Sequence, residues 1–394
     1  MLPTPRRLIR IRTVVSPLAC ALASAAVLTT ACTGDATTAT TPQPPRGIVV
    51  LDGFIQPGLT LLADTGITST RLAFGPTTEF DGSGIVLSRD TVLAVSSRAA
   101  GDLLFLADLR ASVVRKLQLP ARSNPARARL FQGAGGQALI AAALRDSQSI
   151  ALLTVSGTTV ASSSRIANAG TCPTDMFSYD NATWIVDANS ACRTNYAVQG
   201  DVRLIRVPTT GTVRDTLTLT GVRGSAAAAT VAGDVAYVSA GGDADFSRFP
   251  YTLRATGAVA KVDLRSRRIQ ITRTMPAGSY GASLRFGLDG FLYVSLYENL
   301  STFANRIVKL RADDLTFVTT PGAPTPAPDA PWLTLVGGTG SPVTCGSAQA
   351  DALGRVHCLV NGTGSVTSLV VFSPSGTEIR RVPAGQGGTD LALR

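Results

Sequence analysis

The sequence predicts an all-β protein in which one four-stranded unit recurs seven times. Three observations predict it. From residue 47 onward, short runs of Val, Leu, Ile and Tyr alternate with Gly, Asp, Asn and Pro, which is typical of strands joined by turns. A strand–turn–strand pattern recurs along this whole region. The last residues of the chain match a strand that the first unit lacks.

The recurring pattern is a strand, a tight polar turn and a second strand. Its copies lie at 59–74, 103–119, 150–166, 202–219, 258–274, 306–320 and 368–382. A further strand precedes each copy, and ahead of six of these lies a short strand of small residues, such as GSGIVL at 82–87. Four strands per unit of about 50 residues are typical of a β-propeller blade.

The two ends of this region predict how the ring closes. The first unit begins at Gly47 with its second strand, whereas residues 388–394 (GTDLALR) match the missing innermost strand. Such pairing removes an exposed sheet edge. We therefore predict a seven-bladed β-propeller over residues 47–394, with four-stranded antiparallel blades and a ring closed by the C-terminal strand. A six- or eight-bladed ring, or a pair of β-sandwiches, is the alternative.

The first 46 residues predict export. Four arginines and no acidic residue accompany the apolar stretch 13–31, a pattern typical of a secretory signal at 1–31. Residues 28–32 (LTTAC) resemble a bacterial lipoprotein box, although Thr29 departs from the usual Leu. The resemblance implies lipid on Cys32, a Thr/Pro-rich tether over 32–46, and anchoring to the bacterial membrane, which is the outer membrane in a diderm. The alternative is an ordinary cleaved signal.

The cysteines beyond Cys20 and Cys32 predict two disulfides. Four cysteines can pair in three ways. In the blade pattern, Cys172 and Cys192 flank the first two strands of the fourth blade, and Cys345 and Cys358 bracket the corresponding turn of the seventh. The predicted pairs are Cys172–Cys192 and Cys345–Cys358, which favour an oxidising, extracytoplasmic compartment. Buried free thiols are the alternative.

The candidate binding surface lies on the long loops of blades four to six. Aromatic side chains mixed with arginines and carboxylates are typical of such surfaces. The predicted binding residues are Arg193, Tyr196, Asp243, Asp245, Arg248, Tyr251, Tyr280, Tyr297 and Trp332. We expect the Cys172–Cys192 disulfide to hold Arg193 and Tyr196 close to the tyrosines. The alternative is that these aromatic residues form small satellite cores. Asp243 and Asp245 could offer oxygen ligands to Ca²⁺, but a solvated turn is favoured because no further acid is near in sequence.

Composition narrows the possible chemistry. The chain has 16% charged residues, a net charge of +10 and a single histidine, His357, which argues against a His-ligated metal centre. We interpret His357 as a hydrogen-bonded structural residue on a strand. The arginine-rich stretches at 122–129 and 265–268 lack interleaved aromatics, and we interpret them as solvated charge in loops or turns that does not bind nucleic acid.

In its strand and turn pattern, the region 47–394 resembles exported bacterial seven-bladed propellers with surface-layer-like or NHL-like repeats. The resemblance transfers no functional residue. The sequence favours a monomeric ring that needs no metal or cofactor, contacts the membrane only through its lipid, and acts as a binding or scaffold module for an envelope protein, peptide or glycan. The alternatives are an extracytoplasmic hydrolase or lyase with a pocket at the axis mouth, whose catalytic residues the sequence leaves unassigned, and a structural spacer.

Overall fold

The structure of the chain is a computed structural model. It describes residues 47–394, apart from 54, 64–68, 77–79, 81, 97–101, 133–137, 157–158, 209–213, 248, 299, 301–303, 319–331 and 363–364. For residues 83 and 132 it describes the backbone but not the side chain. The predicted signal, Cys32 and the tether lie outside the described residues. Within those residues, no helix is both long and apolar enough to cross a membrane.

The chain forms a seven-bladed antiparallel β-propeller, as the sequence predicts. The strands of blades 1 to 4 are β1 (Gly47–Asp52), β2 (Gly58–Ala63), β3 (Ser69–Ala73), β4 (Gly82–Ser88), β5 (Thr91–Ser96), β6 (Leu103–Asp108), β7 (Val113–Gln118), β8 (Pro125–Gln132), β9 (Ala138–Leu144), β10 (Ser149–Ser156), β11 (Thr159–Ile166), β12 (Pro173–Tyr179), β13 (Ala182–Asp187), β14 (Asp201–Pro208) and β15 (Asp215–Arg223). The remaining strands are β16 (Ala227–Ala232), β17 (Val235–Ala240), β18 (Asp243–Asp245), β19 (Thr252–Ala255), β20 (Ala258–Asp263), β21 (Arg268–Thr274), β22 (Tyr280–Phe286), β23 (Phe291–Tyr297), β24 (Asn305–Arg311), β25 (Ser347–Ala350), β26 (Val356–Asn361), β27 (Val366–Phe372), β28 (Glu378–Gln386) and β29 (Gly388–Leu393).

From the axis outward, the sheets run β29-β1-β2-β3, then β4 to β7, β8 to β11 and β12 to β15 in blades 1 to 4. Blade 5 is β16-β17-β20-β21 and carries the added hairpin β18–β19, blade 6 contains β22-β23-β24, and blade 7 is β25 to β28. In the described part of blade 6, the outer edge consists of a bridge between Leu310 and Phe317. The Val318 N–H also donates to the Lys309 carbonyl across this edge.

The ends of the propeller meet in blade 1. Strand β29 pairs antiparallel with β1, placing Leu393 opposite Ile48 and Leu391 opposite Val50. The Arg394 N–H donates to the Gly47 carbonyl at 2.8 Å. The predicted closure by the C-terminal strand is therefore confirmed.

Strand β1 shows why apolar runs suit this fold. Successive side chains of a strand point to opposite faces of its sheet. A strand whose sheet packs between two neighbouring blades therefore needs apolar residues on both of its faces. Val49 and Leu51 pack in one cluster with residues of blade 2, including Phe105. Ile48 and Val50 pack in another with residues of blade 7. The core therefore lies between the blades around the ring.

Both predicted disulfides form. Cys172 and Cys192 have Cα atoms 5.4 Å apart, and Cys345 and Cys358 have Cα atoms 5.5 Å apart. Cys192 lies in the loop after β13, whereas Cys358 lies inside β26, so the two bridges occupy different places in their blades. Disulfides persist in oxidising compartments, which supports an extracytoplasmic location.

Candidate binding face and axial channel

One end of the ring carries the loops between second and third strands and the connections between blades. We call this end the loop face. In blade 5 the loop is enlarged into the hairpin β18–β19, which rises from a base where three backbone segments meet. At the base, the Gly242 N–H donates to the Arg223 carbonyl, and a Cβ on Gly242 would lie 2.5 Å from the Ala255 carbonyl oxygen. Gly242 has φ +91°, a backbone conformation that favours glycine. Because glycine has no Cβ, the Ala255 carbonyl can approach the Gly242 backbone closely.

A row of aromatic rings runs from the hairpin tip to the ring of blades. The Phe249 and Tyr251 centroids are 5.6 Å apart, those of Tyr251 and Phe246 are 5.1 Å apart, and those of Phe246 and Tyr280 are 5.4 Å apart. All three contacts are edge-to-face, a favourable arrangement of aromatic quadrupoles. The Tyr280 hydroxyl lies 2.8 Å from the Ser225 Oγ, which fixes the inner end. We call Phe246, Phe249, Tyr251 and Tyr280 the aromatic row.

The outer part of the aromatic row is open to solvent. Phe249 is 71% exposed and Phe246 is 43% exposed, whereas Tyr251 and Tyr280 are half-buried. Tyr297 is also half-buried and lies opposite Tyr280 in the pairing of β22 with β23. The sequence identified the tyrosines of this group. It did not identify the hairpin that orients them, because β18 and β19 are short and carry charged residues.

The two carboxylates of the hairpin have different surroundings. Asp245 accepts hydrogen bonds from the Ser247 N–H at 2.9 Å and from Arg254 at 2.5 Å. These bonds hold the pKa of Asp245 below its usual value. Asp243 is half-buried and pairs with Ala255 across the hairpin. Among the residues described, no group of three metal-ligating side chains occurs, and Arg248 lies outside them.

Trp332 lies in a different environment from the aromatic row. It is buried in the core cluster of blades 5 and 6, and Arg306 lies 5.1 Å from its ring centroid. The next residue, Leu333, donates its N–H to the Ile307 carbonyl of β24. A ring buried in this way offers little surface to a ligand, so we do not include Trp332 in the proposed binding surface.

Arg193 and Tyr196 lie on the disulfide-bridged loop of blade 4. The Tyr196 ring packs against the core cluster of blades 4 and 5, whereas the polar contacts of both residues lead to blade 3. Arg193 Nε donates to the Asp146 carbonyl at 2.7 Å, and the Tyr196 hydroxyl accepts from Asn124 Nδ2 at 2.8 Å. Arg145 lies 5.9 Å from the Tyr196 ring centroid. The structure thus joins Tyr251, Tyr280 and Tyr297 in one group and places Arg193 and Tyr196 in a second group on the same face.

A buried ion pair organises the blade 4 loop. Asp187, at the end of β13, is fully buried and accepts from the Cys172 N–H at 2.7 Å and from Arg203 Nε at 2.9 Å. Beyond this loop, Arg193 borders a cavity of about 610 Å³ together with Arg122, Arg165 and Asp146. The disulfide and the ion pair together fix the base of the second group.

The ring axis contains a polar channel. The enzyme alternative placed a pocket at the axis mouth, but the sequence did not assign the charged residues that line this channel. A cavity of about 380 Å³ is lined mainly by innermost-strand residues of six blades, which are 84–86, 126–129, 229–230, 283–286, 346, 347, 349 and 389–390. Arg127, Arg129, Arg285 and Asp390 contribute its charges, and Asp175 of β12 lies beside Arg129. The interpretation of 122–129 as solvated loop charge is wrong for Arg127 and Arg129, because both lie on the innermost strand β8. Their alternation with Ala128 and Leu130 was the available signal.

Two carboxylates in the channel tie the blades together. Asp175 of blade 4 accepts from Arg129 of blade 3 at 3.0 and 2.7 Å and from the Ala229 N–H of blade 5 at 2.9 Å. Asp390 of blade 1 accepts from the Ile85 N–H of blade 2 at 3.0 Å. It also accepts from Ser347 Oγ of blade 7 at 2.8 Å and from Arg285 of blade 6. Each carboxylate is thus satisfied by several donors, as burial of a charge requires.

His357 lies inside blade 7, away from the loops. It is 1% exposed, and its Nε2 lies 3.0 Å from Asp351 Oδ2. Burial would raise the pKa of Asp351, but hydrogen bonds with His357 and Arg355 outweigh it and lower that pKa to about 2. The geometry is that of a buried hydrogen-bonded pair at a turn.

Known proteins share the fold of this chain. No family model matches it, and no curated protein sequence matches it significantly. A protein from Lactobacillus plantarum has a solved structure that is 15% identical, with 89% of this chain and 99% of that chain covered and a TM-score of 0.56. A quinoprotein alcohol dehydrogenase-like protein from Bacteroides thetaiotaomicron is 12% identical over 89% of this chain and 78% of that chain, with a TM-score of 0.52. The β-propeller domain of Swd1 from Myceliophteria thermophila is 13% identical over 77% and 87%, with a TM-score of 0.47. At these identities the first two likenesses show the fold alone.

Proposed function

We propose that this chain is a lipid-anchored binding or scaffold module of the bacterial cell envelope, which holds a protein, peptide or glycan on its loop face. One observation carries the proposal. The outer rings of the aromatic row, Phe249 and Phe246, remain exposed although each is stacked edge-to-face on Tyr251. Rings that are already oriented lose little conformational entropy when a ligand covers them, which favours binding.

The channel residues support binding over catalysis. General acid–base catalysis in a hydrolase or lyase most often uses a histidine or a carboxylate. Asp175 and Asp390 are each held by an arginine and by backbone N–H groups, and His357 is buried beside Asp351. Removing any of these partners would disturb the ring before it created a base.

The binding experiment compares two faces of the same ring. The variant carrying Phe246→Ala, Phe249→Ala and Tyr251→Ala removes the outer part of the aromatic row. The matched control carries Leu288→Ala and Leu353→Ala, which remove exposed apolar residues from turns on the opposite end. We expect the parent and the control to bind one of three immobilised probes, namely purified envelope proteins, peptidoglycan fragments or surface polysaccharide. We expect the loop-face variant to bind that probe at least about tenfold more weakly. Equal binding by all three proteins would contradict the proposal.

The anchoring part of the proposal rests on the lipoprotein-box resemblance and on the two disulfides. We expect Cys32→Ser to release soluble protein or to leave uncleaved precursor, measured by membrane fractionation and mass spectrometry of the N-terminus. Unchanged processing and membrane partition would contradict lipidation at Cys32.

A further inference from the structure

The axial channel holds three arginines for two carboxylates. Asp175 and Asp390 have all their short contacts with Arg129, Arg285, Ser347 Oγ and backbone N–H groups. Arg129 also donates to the Ala229 carbonyl at 2.7 Å, so its guanidinium is engaged on two sides. Once these pairs are formed, the group keeps an excess of one positive charge.

Arg127 carries that excess. Its Nε lies 3.9 Å from Asp175 Oδ2, and within the described residues its guanidinium makes no hydrogen bond. The side chain keeps 37% of its surface open because it faces the channel space. Desolvation, together with the neighbouring Arg129 and Arg285, lowers the pKa of Arg127, whereas Asp175 and Asp390 partly offset the effect. A guanidinium in this position is poised to accept an anion, since its planar fork matches a carboxylate.

The rest of the channel lining is neutral, with small or apolar residues and side chains that can form hydrogen bonds. Among these are Thr230, Ser283 and Gln349, and the Gln349 Oε1 already accepts from the Leu393 N–H at 3.3 Å. The volume of about 380 Å³ falls within the range of small-molecule sites, roughly 300–1,000 Å³. A net excess of one positive charge, in a channel that also presents neutral hydroxyl and amide groups, suits a hydroxylated monoanion.

We propose that the axial channel binds a small hydroxylated monocarboxylate of the sugar-acid class, with Arg127 holding its carboxylate. The hydroxyl and amide groups of Thr230, Ser283 and Gln349 recognise its polar body. The site is separate from the loop face, so the two proposals can fail independently.

The test uses glucuronate as the probe and isothermal titration calorimetry on the full propeller, at constant ionic strength. Glucose, acetate and inorganic phosphate are the comparison ligands. We expect one glucuronate per chain, and we expect glucose and acetate to bind at least about tenfold more weakly because each lacks part of the recognised chemistry. Tighter binding of phosphate, or equal binding of acetate, would overturn the sugar-acid assignment.

Two variants locate the site. Arg127→Gln removes the unsatisfied guanidinium, and Arg268→Gln removes an equal charge from an exposed position on the outer strand β21. We expect glucuronate affinity to fall at least about tenfold in the first variant and to stay unchanged in the second. The unligated Arg127→Gln protein should melt at or above the temperature of the parent, because the desolvation of the guanidinium and its repulsion from Arg129 and Arg285 are relieved and together outweigh the lost attraction to Asp175. If Arg127→Gln unfolds, or binds glucuronate like the parent, or if the parent binds none, the proposal is overturned.

Discussion

The axial channel and the hairpin of blade 5 use their side chains in opposite ways. In the channel, Asp175 and Asp390 are nearly closed to solvent, and each joins innermost strands of several blades. On the hairpin, the outer phenylalanines are stacked but remain exposed, and the ion pair of Asp245 with Arg254 lies at the surface.

The difference separates residues that hold the ring from residues that are open to a ligand. A buried charge that loses its partner is costly, whereas an exposed ion pair or ring contributes little to folding. Arg127 belongs to neither group, because it lies in the channel without a hydrogen bond from the described residues. The free energy of unfolding of single variants measures this difference.

The largest effect is expected from deletion of residues 388–394. This removes β29 and with it Asp390, so that Arg285 and the inner edge of β1 lose their partners. We expect the free energy of unfolding to fall by more than about 5 kcal/mol, measured by urea denaturation. A synthetic peptide of the same residues should restore part of the stability, and an unchanged melting temperature in the truncated protein would refute closure.

The next effect compares the two ion pairs directly. Asp175→Asn removes the carboxylate that pairs with Arg129 at 2.7 Å, and we expect it to cost about 3–4 kcal/mol. Asp245→Asn breaks the exposed pair with Arg254, and we expect a much smaller loss because solvent screens an exposed pair. Equal losses of unfolding free energy in the two variants, measured by urea denaturation, would show that the channel pair and the hairpin pair contribute alike.

A third carboxylate shows what happens when burial is not matched by a close arginine. Asp52 is fully buried, accepts from Thr60 Oγ1 at 2.7 Å and has Arg71 Nε at 3.8 Å. Burial raises the pKa of Asp52 from 3.8 to about 6, although the hydrogen bond from Thr60 and the charge of Arg71 act to lower it. The folded chain thus keeps a proton that the unfolded chain has lost, so the contribution of Asp52 to stability decreases as pH rises from about 4 to 6.

We expect this decrease to be roughly 2–3 kcal/mol in the parent and absent in Asp52→Asn, measured by urea denaturation at each pH. Asp351 provides the opposite case, because its lowered pKa stabilises the fold above about pH 4 and that stability is lost as pH falls toward 2. Parallel pH profiles for the parent and Asp52→Asn would show that the Asp52 carboxyl titrates alike in the folded and unfolded chains.

The smallest effect on stability is expected on the hairpin. Phe249→Ala removes a ring that is 71% exposed, and we expect the free energy of unfolding to change by less than about 0.5 kcal/mol. Phe105→Ala, a fully buried ring between blades 1 and 2, should cost about 3–5 kcal/mol in the same assay. A large loss of unfolding free energy in Phe249→Ala would show that the aromatic row is a small hydrophobic core.

The ring could be predicted from the sequence because its signals are local and repeated. Apolar runs such as Gly47–Asp52 and the matching terminal strand indicate blades and closure without any long-range information. The disulfide pairing followed from the positions of cysteines within that repeat. These features depend on period and register, which a sequence displays directly.

The channel and the hairpin depend on contacts between distant positions. The ion pair of Arg129 with Asp175 spans 46 residues, and that of Arg285 with Asp390 spans 105, so neither appears as a motif. Tyr280 and Tyr251 could be identified as loop aromatics, but their alignment through Phe246 requires the folded hairpin. The contacts of Tyr196 with Asn124 and Arg145 of blade 3 and with the core of blades 4 and 5 also join positions far apart in sequence.

We propose that the chain contacts an envelope partner through the aromatic row of its loop face. The most direct measurement places a photo-crosslinking phenylalanine analogue at position 249 in living cells, and at position 288 as the control on the opposite end. Both positions are well exposed, at 71% and 63%. We predict adducts of one discrete envelope component from position 249 and none of that component from position 288. Adducts from 288 alone, or the same adducts from both positions, would contradict the claim.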